Sequence, residues 1–213
     1  MPDQPPEFDD AFRERLEQLL VWRRDVRRFR SERVDEDAFD AALRAFDLAP
    51  SVGNSQPWRL VLVESEKARA CVRESFARCN AAALDATEAD RVALYARLKL
   101  QGLEEAPIHL AVFCDREPEQ GHGLGRQTMR ETPDYSVAGA VALFAIAARA
   151  HGIGVGWVSI MEPDAVTEAL DVPADWRLIA YLCIGYPETE DDVPELQRAG
   201  WQARREERLL LRR

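Results

Sequence analysis

Little in this chain of 213 residues suits it to metal or thiol chemistry. Its three histidines, His109, His122 and His151, stand apart without HExxH or comparable ligand spacing, so no metal is expected. Its four cysteines, Cys71, Cys79, Cys114 and Cys183, form no CxxC pair, which argues against a zinc site or a redox motif and makes reduced thiols in a cytoplasm the expectation. No apolar run approaches the roughly 20 residues that cross a bilayer. The opening MPDQPPEFDD is acidic and proline-bearing where a secretory signal is basic and then apolar, and residues 1–9 read as a loose tail. Positive charge is in deficit, with 28 Lys and Arg against 38 Asp and Glu, a net charge of −10, which excludes the broad basic surface of a nonspecific nucleic-acid binder. There is no GxSxG elbow and no serine or cysteine with a nearby histidine motif, so hydrolase chemistry lacks its parts.

What is present is a globular balance, 46% hydrophobic and 31% charged residues, at a length that fits one domain over residues 1–213. Phe12, Leu16, Leu19 and Leu20 recur at helical spacing before Trp22, and Phe39, Leu43 and Phe46 repeat the pattern after the capping residue Asp35. Residues 60–63 read as a buried strand, 66–79 and 81–103 as helices, and 108–115 as a second strand. The polar, glycine-bearing stretch 116–132 reads as a loop. Residues 136–150, almost entirely apolar, predict a helix buried on most sides, central to the fold or part of a dimer contact. A glycine-rich entry then leads into a strand at GIGVGWVSI, a short helix over 162–170 carries Pro163 in its first turn, and 176–184 forms a last strand. The C-terminal piece is basic at its end and shows no core-forming pattern. Helices and strands intermix without a βαβ rhythm, which predicts an α+β sheet with helical cover.

Charge is crowded at RRDVRRF, residues 23–29, where Arg23, Arg24, Arg27 and Arg28 surround Asp25. A solvated charged turn and an anion cradle with a built-in carboxylate both fit that composition. PSVGNSQPW places hydroxyls (Ser51, Ser55) and carboxamides (Asn54, Gln56) on a loop at a strand entrance, groups that donate and accept toward the edge of a heterocycle. GIGVGWVSI lacks the GxGxxG spacing, follows a helix and leads into a strand, which argues against a nicotinamide Rossmann turn. Gly152, Gly154 and Gly156 either end the helix or let backbone approach a flat ligand, and the sequence leaves both open. Strand alternation puts Ser159 on the same face as Trp157.

In this order and at these separations, RRDVRRF, PSVGNSQPW and GIGVGWVSI resemble the FMN-dependent nitroreductase superfamily, whose site joins an N-terminal arginine segment, a PSxxNxQPW loop and a late GxGxxW strand entrance. The likeness covers residues 15–204 and rests also on ARLKLQGLEEAP, LGRQTMRETPDYS and AARAHGIGVGWVSI. It implies a nitroreductase-like α+β fold, a central mostly antiparallel mixed sheet flanked by helices, in an intertwined homodimer with a lid helix over residues 80–103. By resemblance, Arg23 and Arg24 reach the FMN phosphate, Arg204 closes that site, Arg27 reaches the pyrimidine edge, and Asp25 and Val26 lie beside the flavin. Ser51, Gly53, Asn54 and Gln56 would meet the ring edge or ribityl chain from the second subunit, Gly156 and Trp157 would bring backbone close to the ring, and Leu98 and Lys99 belong to the lid.

Asp25 discriminates within the superfamily: its reductases carry Ser, Thr or His there, whereas Asp at that position and Ser at 159 resemble the branch that breaks reduced FMN down with oxygen to 5,6-dimethylbenzimidazole, the lower ligand of vitamin B12. This implies FMN as substrate, O2 as co-substrate and a separate NAD(P)H flavin reductase as partner. Asp25 would be the catalytic acid or base, held ionised by its arginines, and Ser159 a relay or orienting group. The lid would exclude water that otherwise lets reduced flavin yield only hydrogen peroxide. Asn54 and Ser55 resemble the reductase form of the loop, which keeps an NAD(P)H-dependent FMN reductase of the same fold as a second reading and a noncatalytic flavin-binding protein as a third.

Overall fold

The computed structural model describes residues 5–85 and 102–213. Helix α1 (Asp10–Trp22) begins where the Asp9 carboxylate accepts the Phe12 N–H at 2.8 Å, and α2 (Glu36–Leu48) where Asp35 accepts the Ala38 N–H at 2.9 Å. Each cap satisfies a donor that the helix itself cannot. A 3₁₀ turn (Val52–Asn54), β1 (Trp58–Leu62), α3 (Glu66–Asp85), α4 (Gly102–Glu105) and β2 (Ile108–Asp115) follow. Then come α5 (Thr132–Ala150), β3 (Gly154–Val158), α6 (Pro163–Ala169), β4 (Trp176–Gly185) and α7 (Glu195–Arg198).

The strands form one sheet in the order β1-β2-β4-β3, every neighbouring pair antiparallel. Both faces of its central strands are buried, which is why β2 and β4 read as nearly continuous apolar runs. Leu110, Val112, Cys114, Ala180, Leu182 and Ile184 pack against α2 and α5. On the other face Ala111, Phe113, Tyr181 and Cys183 meet Phe29, Val72, Leu103 and Val166. Phe39, Ala42 and Phe46 form the buried stripe of α2, with Phe46 stacked on Phe144 of α5 at 5.4 Å and Phe39 edge-on to it at 6.4 Å. Each such phenyl ring, fully buried, contributes about 1.5–3 kcal/mol. Among the described residues no helix is long and apolar enough to cross a membrane.

Several expectations change. No break separates 66–79 from a following helix, since α3 runs on to Asp85 through Asn80 with no glycine or proline to stop it. Residues 86–101 of the expected lid, with Leu98 and Lys99, lie outside the described residues, and its last two residues open α4. The apolar helix starts earlier, at Thr132, and is buried on one side, through Val137, Ala140, Val141, Phe144 and Ala148, while Tyr135 and Leu143 are exposed. Helix α1 buries no residue, and its apolar stripe of Phe12, Leu16 and Leu20 is open in the single chain.

Candidate active site

RRDVRRF is not a free turn. It runs beside the edge strand β3, where Asp25 forms a parallel bridge with Val155, the Val26 N–H donates to Val155 O at 3.0 Å, and Phe29 bridges Pro187. The parallel bridge is an isolated one, outside the four strands, whose own pairings are all antiparallel. Gly156 makes this approach possible: a Cβ there would lie 2.1 Å from the carbonyl oxygen of Val26. A side chain at Gly156 would thus collide with the chain's own backbone, and the glycine is required by strand packing.

The Asp25 carboxyl is fixed by this arrangement, its Oδ1 accepting the Trp157 N–H at 2.9 Å and its Oδ2 lying 3.7 Å from Nε of Arg27, itself only 13% exposed. It lines a cavity of about 170 Å³ shared with Arg24, Arg27, Glu195 and Arg198. Burial pushes the carboxyl above its ordinary pKa, and nearby Glu195 pushes the same way. The Trp157 N–H, Arg27 and Arg23 pull it down, without overcoming burial. The net direction is thus set by burial rather than by the arginines, although 45% of the side chain remains open to solvent.

Arg23, Arg24 and Arg204 do gather. Burial, followed by repulsion from Arg204 and Arg23, lowers the pKa of Arg24. The Arg24 Nε and Nη2 donate to Asp192 O and its Nη1 to Arg23 O. Arg24 braces the segment and supplies charge, while Arg23 is half-buried like it and Arg204 is exposed. Trp157 and Ser159 are both exposed on either side of buried Val158, as alternation requires.

The second group of residues lies elsewhere. Ser51 accepts the Gln56 N–H at 2.9 Å, closing a loop in which Gly53, Asn54 and Gln56 all have positive φ, 58°, 54° and 44°. This loop enters β1 at Trp58, which faces Cys114 of β2, whereas the Asp25 segment lies beyond β3 near Ile184, which faces Ile108 at the other end of β2. Four inter-strand steps and six residues along a strand separate the two corners by about 25–30 Å. A single chain does not bring them together.

Two contributions were missed in the sequence. Thr189, Asp191, Val193, Glu195 and Arg198 share the Asp25 cavity, although the C-terminal piece lacked a core pattern; Pro194 ahead of the short α7 was the available signal. Gln120 and Gly121, in a stretch read only as loop, contact the Asn54 loop.

A 5,6-dimethylbenzimidazole synthase of Rhodospirillum rubrum is 56% identical over 200 residues, 94% of this chain and 95% of that one. One of Rhodobacter capsulatus is 47% identical over 195 residues, 92% and 94% of the two chains. The crystal structure of an oxidized iodotyrosine deiodinase bound to FMN and 3-iodo-L-tyrosine matches with a TM-score of 0.72 at 23% identity, covering 92% of this chain and 97% of that one, a likeness of fold. The model of the Nitroreductase family matches residues 20–186, from the end of α1 to just past β4, and the chain belongs to that family.

Proposed function

We propose that the chain breaks reduced FMN down with oxygen to 5,6-dimethylbenzimidazole, FMN being consumed as a substrate. The observation that carries this reading is Asp25: a carboxyl fixed by a strand amide, recessed in a cavity and raised in pKa by burial, in a chain 56% identical to a protein of that name. The residues fit the ligand. Arg23, Arg24 and Arg204 repel one another in a way that a phosphate would relieve, and guanidiniums suit its oxygens. Reduced FMN, once bound, supplies both the electrons for oxygen and the atoms of the product.

The chain's own part is to hold and to move protons. Arg23 and Arg204 take the phosphate with Arg24 behind them, and Arg27 sets the charge beside Asp25. The Trp157 N–H fixes Oδ1 of Asp25, so that Oδ2 is the atom able to take and return a proton. Burial moves that carboxyl toward the range where it does both. Ser159, exposed just past the end of β3, orients the oxygenated end of the substrate through its hydroxyl.

Because the Asn54 loop lies at the opposite corner, each site takes Asp25 from one protomer and Ser51, Gly53, Asn54 and Gln56 from the other. The open apolar stripe of α1 and the exposed Tyr135 and Leu143 of α5 support a homodimer. Electrons arrive already on the flavin, from a separate NAD(P)H flavin reductase, and the four free cysteines fit the reducing cytoplasm. The test is to mix the protein with excess reduced FMN in air and separate the products. Loss of flavin with a new benzimidazole is expected; intact oxidised FMN with peroxide alone overturns the reading. The resemblance of Asn54 and Ser55 to the reductase loop favours a second reading, NAD(P)H-dependent flavin reduction, which sustained NAD(P)H turnover with intact FMN would establish.

A further inference from the structure

The loop between β2 and α5 is built against the segment that carries Asn54 and Gln56. The Gln120 side-chain amide donates to Asn54 O at 2.7 Å, across 66 residues of sequence. Gly121 approaches so closely that a Cβ there would stand 2.8 Å from Gly53 O and 2.9 Å from Ser55 Cβ. The contact is reciprocal, since a Cβ on Gly53 would meet the carbonyl oxygens of Gly121 and Leu124, both at 3.1 Å. The loop is itself pinned: Arg126 donates to the carbonyls of Arg116 and Pro118, and Arg116 lies 3.7 Å from Asp134, a 9% exposed carboxylate that also holds Arg177 at 3.0 Å.

We propose that Gln120 and Gly121 are positioning residues that clamp the 53–56 segment in its positive-φ conformation and so aim Asn54 and Gln56 at the flavin of the partner protomer. The inference rests on the reading that this segment meets FMN. A left-handed backbone at Asn54 and Gln56 is uncommon for residues with side chains and persists only when its surroundings over-determine it. The clamp supplies that constraint from outside the segment: a carbonyl held by an amide and a face on which only a glycine fits.

Gly123 provides an internal control. Its φ of +73° is as left-handed as the +84° of Gly121, but a Cβ there would meet nothing nearer than Arg126 Nη2 at 3.7 Å. Gly121→Ala and Gly123→Ala therefore carry similar backbone strain, and only the first strikes the Asn54 loop. In titrations followed by quenching of FMN fluorescence, Gly121→Ala is expected to weaken binding about tenfold or more and Gly123→Ala by no more than about threefold. Gln120→Ala should cost about fivefold, and Gln120→Lys, which restores a donor, should recover most of it. Equal losses in the two glycine variants, or no recovery with lysine, overturn the clamp. Should Gly121→Ala lose its cooperative melt, the Gln120 pair decides.

Amide exchange separates this inference from the flavin reading. Without any flavin, residues 53–56 should exchange faster in Gln120→Ala than in the wild type; unchanged exchange overturns the clamp, whereas faster exchange in a protein that binds no FMN upholds the clamp and removes its flavin role.

Discussion

The two corners of the sheet that carry the candidate site are built in opposite ways. At the β3 edge, charge does the work: arginines gather around Asp25, and the segment is tied to the sheet by a parallel bridge and by the Trp157 amide. At the β1 entrance the charges, among them the paired Arg59 and Asp115 with Glu117, Glu119 and Asp175, lie beside the loop, and backbone does the positioning: left-handed residues are held in place by a second loop through a side-chain amide and a glycine face. The first corner is suited to fixing an anion and moving a proton. The second is suited to shape, offering neutral donors and acceptors whose direction depends on a conformation that the segment does not favour by itself. Defects at the first should therefore strike chemistry and phosphate affinity separately, and defects at the second should strike affinity through geometry.

The largest contrast is expected from Asp25→Asn. Asparagine keeps an acceptor for the Trp157 N–H but no longer takes a proton, so FMN binding should persist while benzimidazole formation falls by about a thousandfold, within the span typical of a lost general acid or base. Product formation near the wild-type rate, measured by chromatography, would make Asp25 structural. Gly156→Ala comes next. The added Cβ meets a backbone oxygen at 2.1 Å, an atom that cannot swing away, so a loss of about 3 kcal/mol or more in denaturant unfolding is expected. A variant as stable as the wild type would show that the arginine segment is not seated on β3.

Those two positions also show what sequence can and cannot reveal. RRDVRRF announced a charged site because charge is visible residue by residue, and β2 and β4 were legible because strands buried on both faces leave long apolar runs. The seating of Asp25 on β3 was hidden, because a bridge between segments 130 residues apart leaves no local pattern. Gly156 was noticed as a glycine, yet its reason, the Val26 carbonyl, belongs to that same distant segment. Periodicity gave α1 its helix, but not a partner for its apolar stripe, which no other element among the described residues buries. In PSVGNSQPW the side-chain chemistry was readable, whereas the clamp was not, since Gln120 and Gly121 look like any polar loop until the chain brings them to Gly53.

Smaller effects sharpen the contrast. Arg204→Ala should weaken FMN binding about tenfold and leave riboflavin, which lacks the phosphate, unaffected. Equal losses for both ligands would move Arg204 away from the phosphate. The smallest effect is on stability. A carboxyl whose folded pKa is raised favours folding below the unfolded value of about 3.9, and that contribution is lost as pH rises through the folded value. Asp25→Asn should therefore melt above the wild type at pH 7–8, and the gap should close toward pH 4. A gap that widens on acidification would mean that the arginines, rather than burial, control Asp25.

The claim that one site joins opposite corners of two protomers is open to a mixing experiment. Asp25→Asn protein and Asn54→Ala/Gln56→Ala protein are each inactive by this account. After subunit exchange, half of the dimers should be mixed, each with one intact site, restoring about a quarter of wild-type benzimidazole formation. Restored activity near that level is the expected result; exchanged dimers, verified by mass, that remain as inactive as their parents would contradict it.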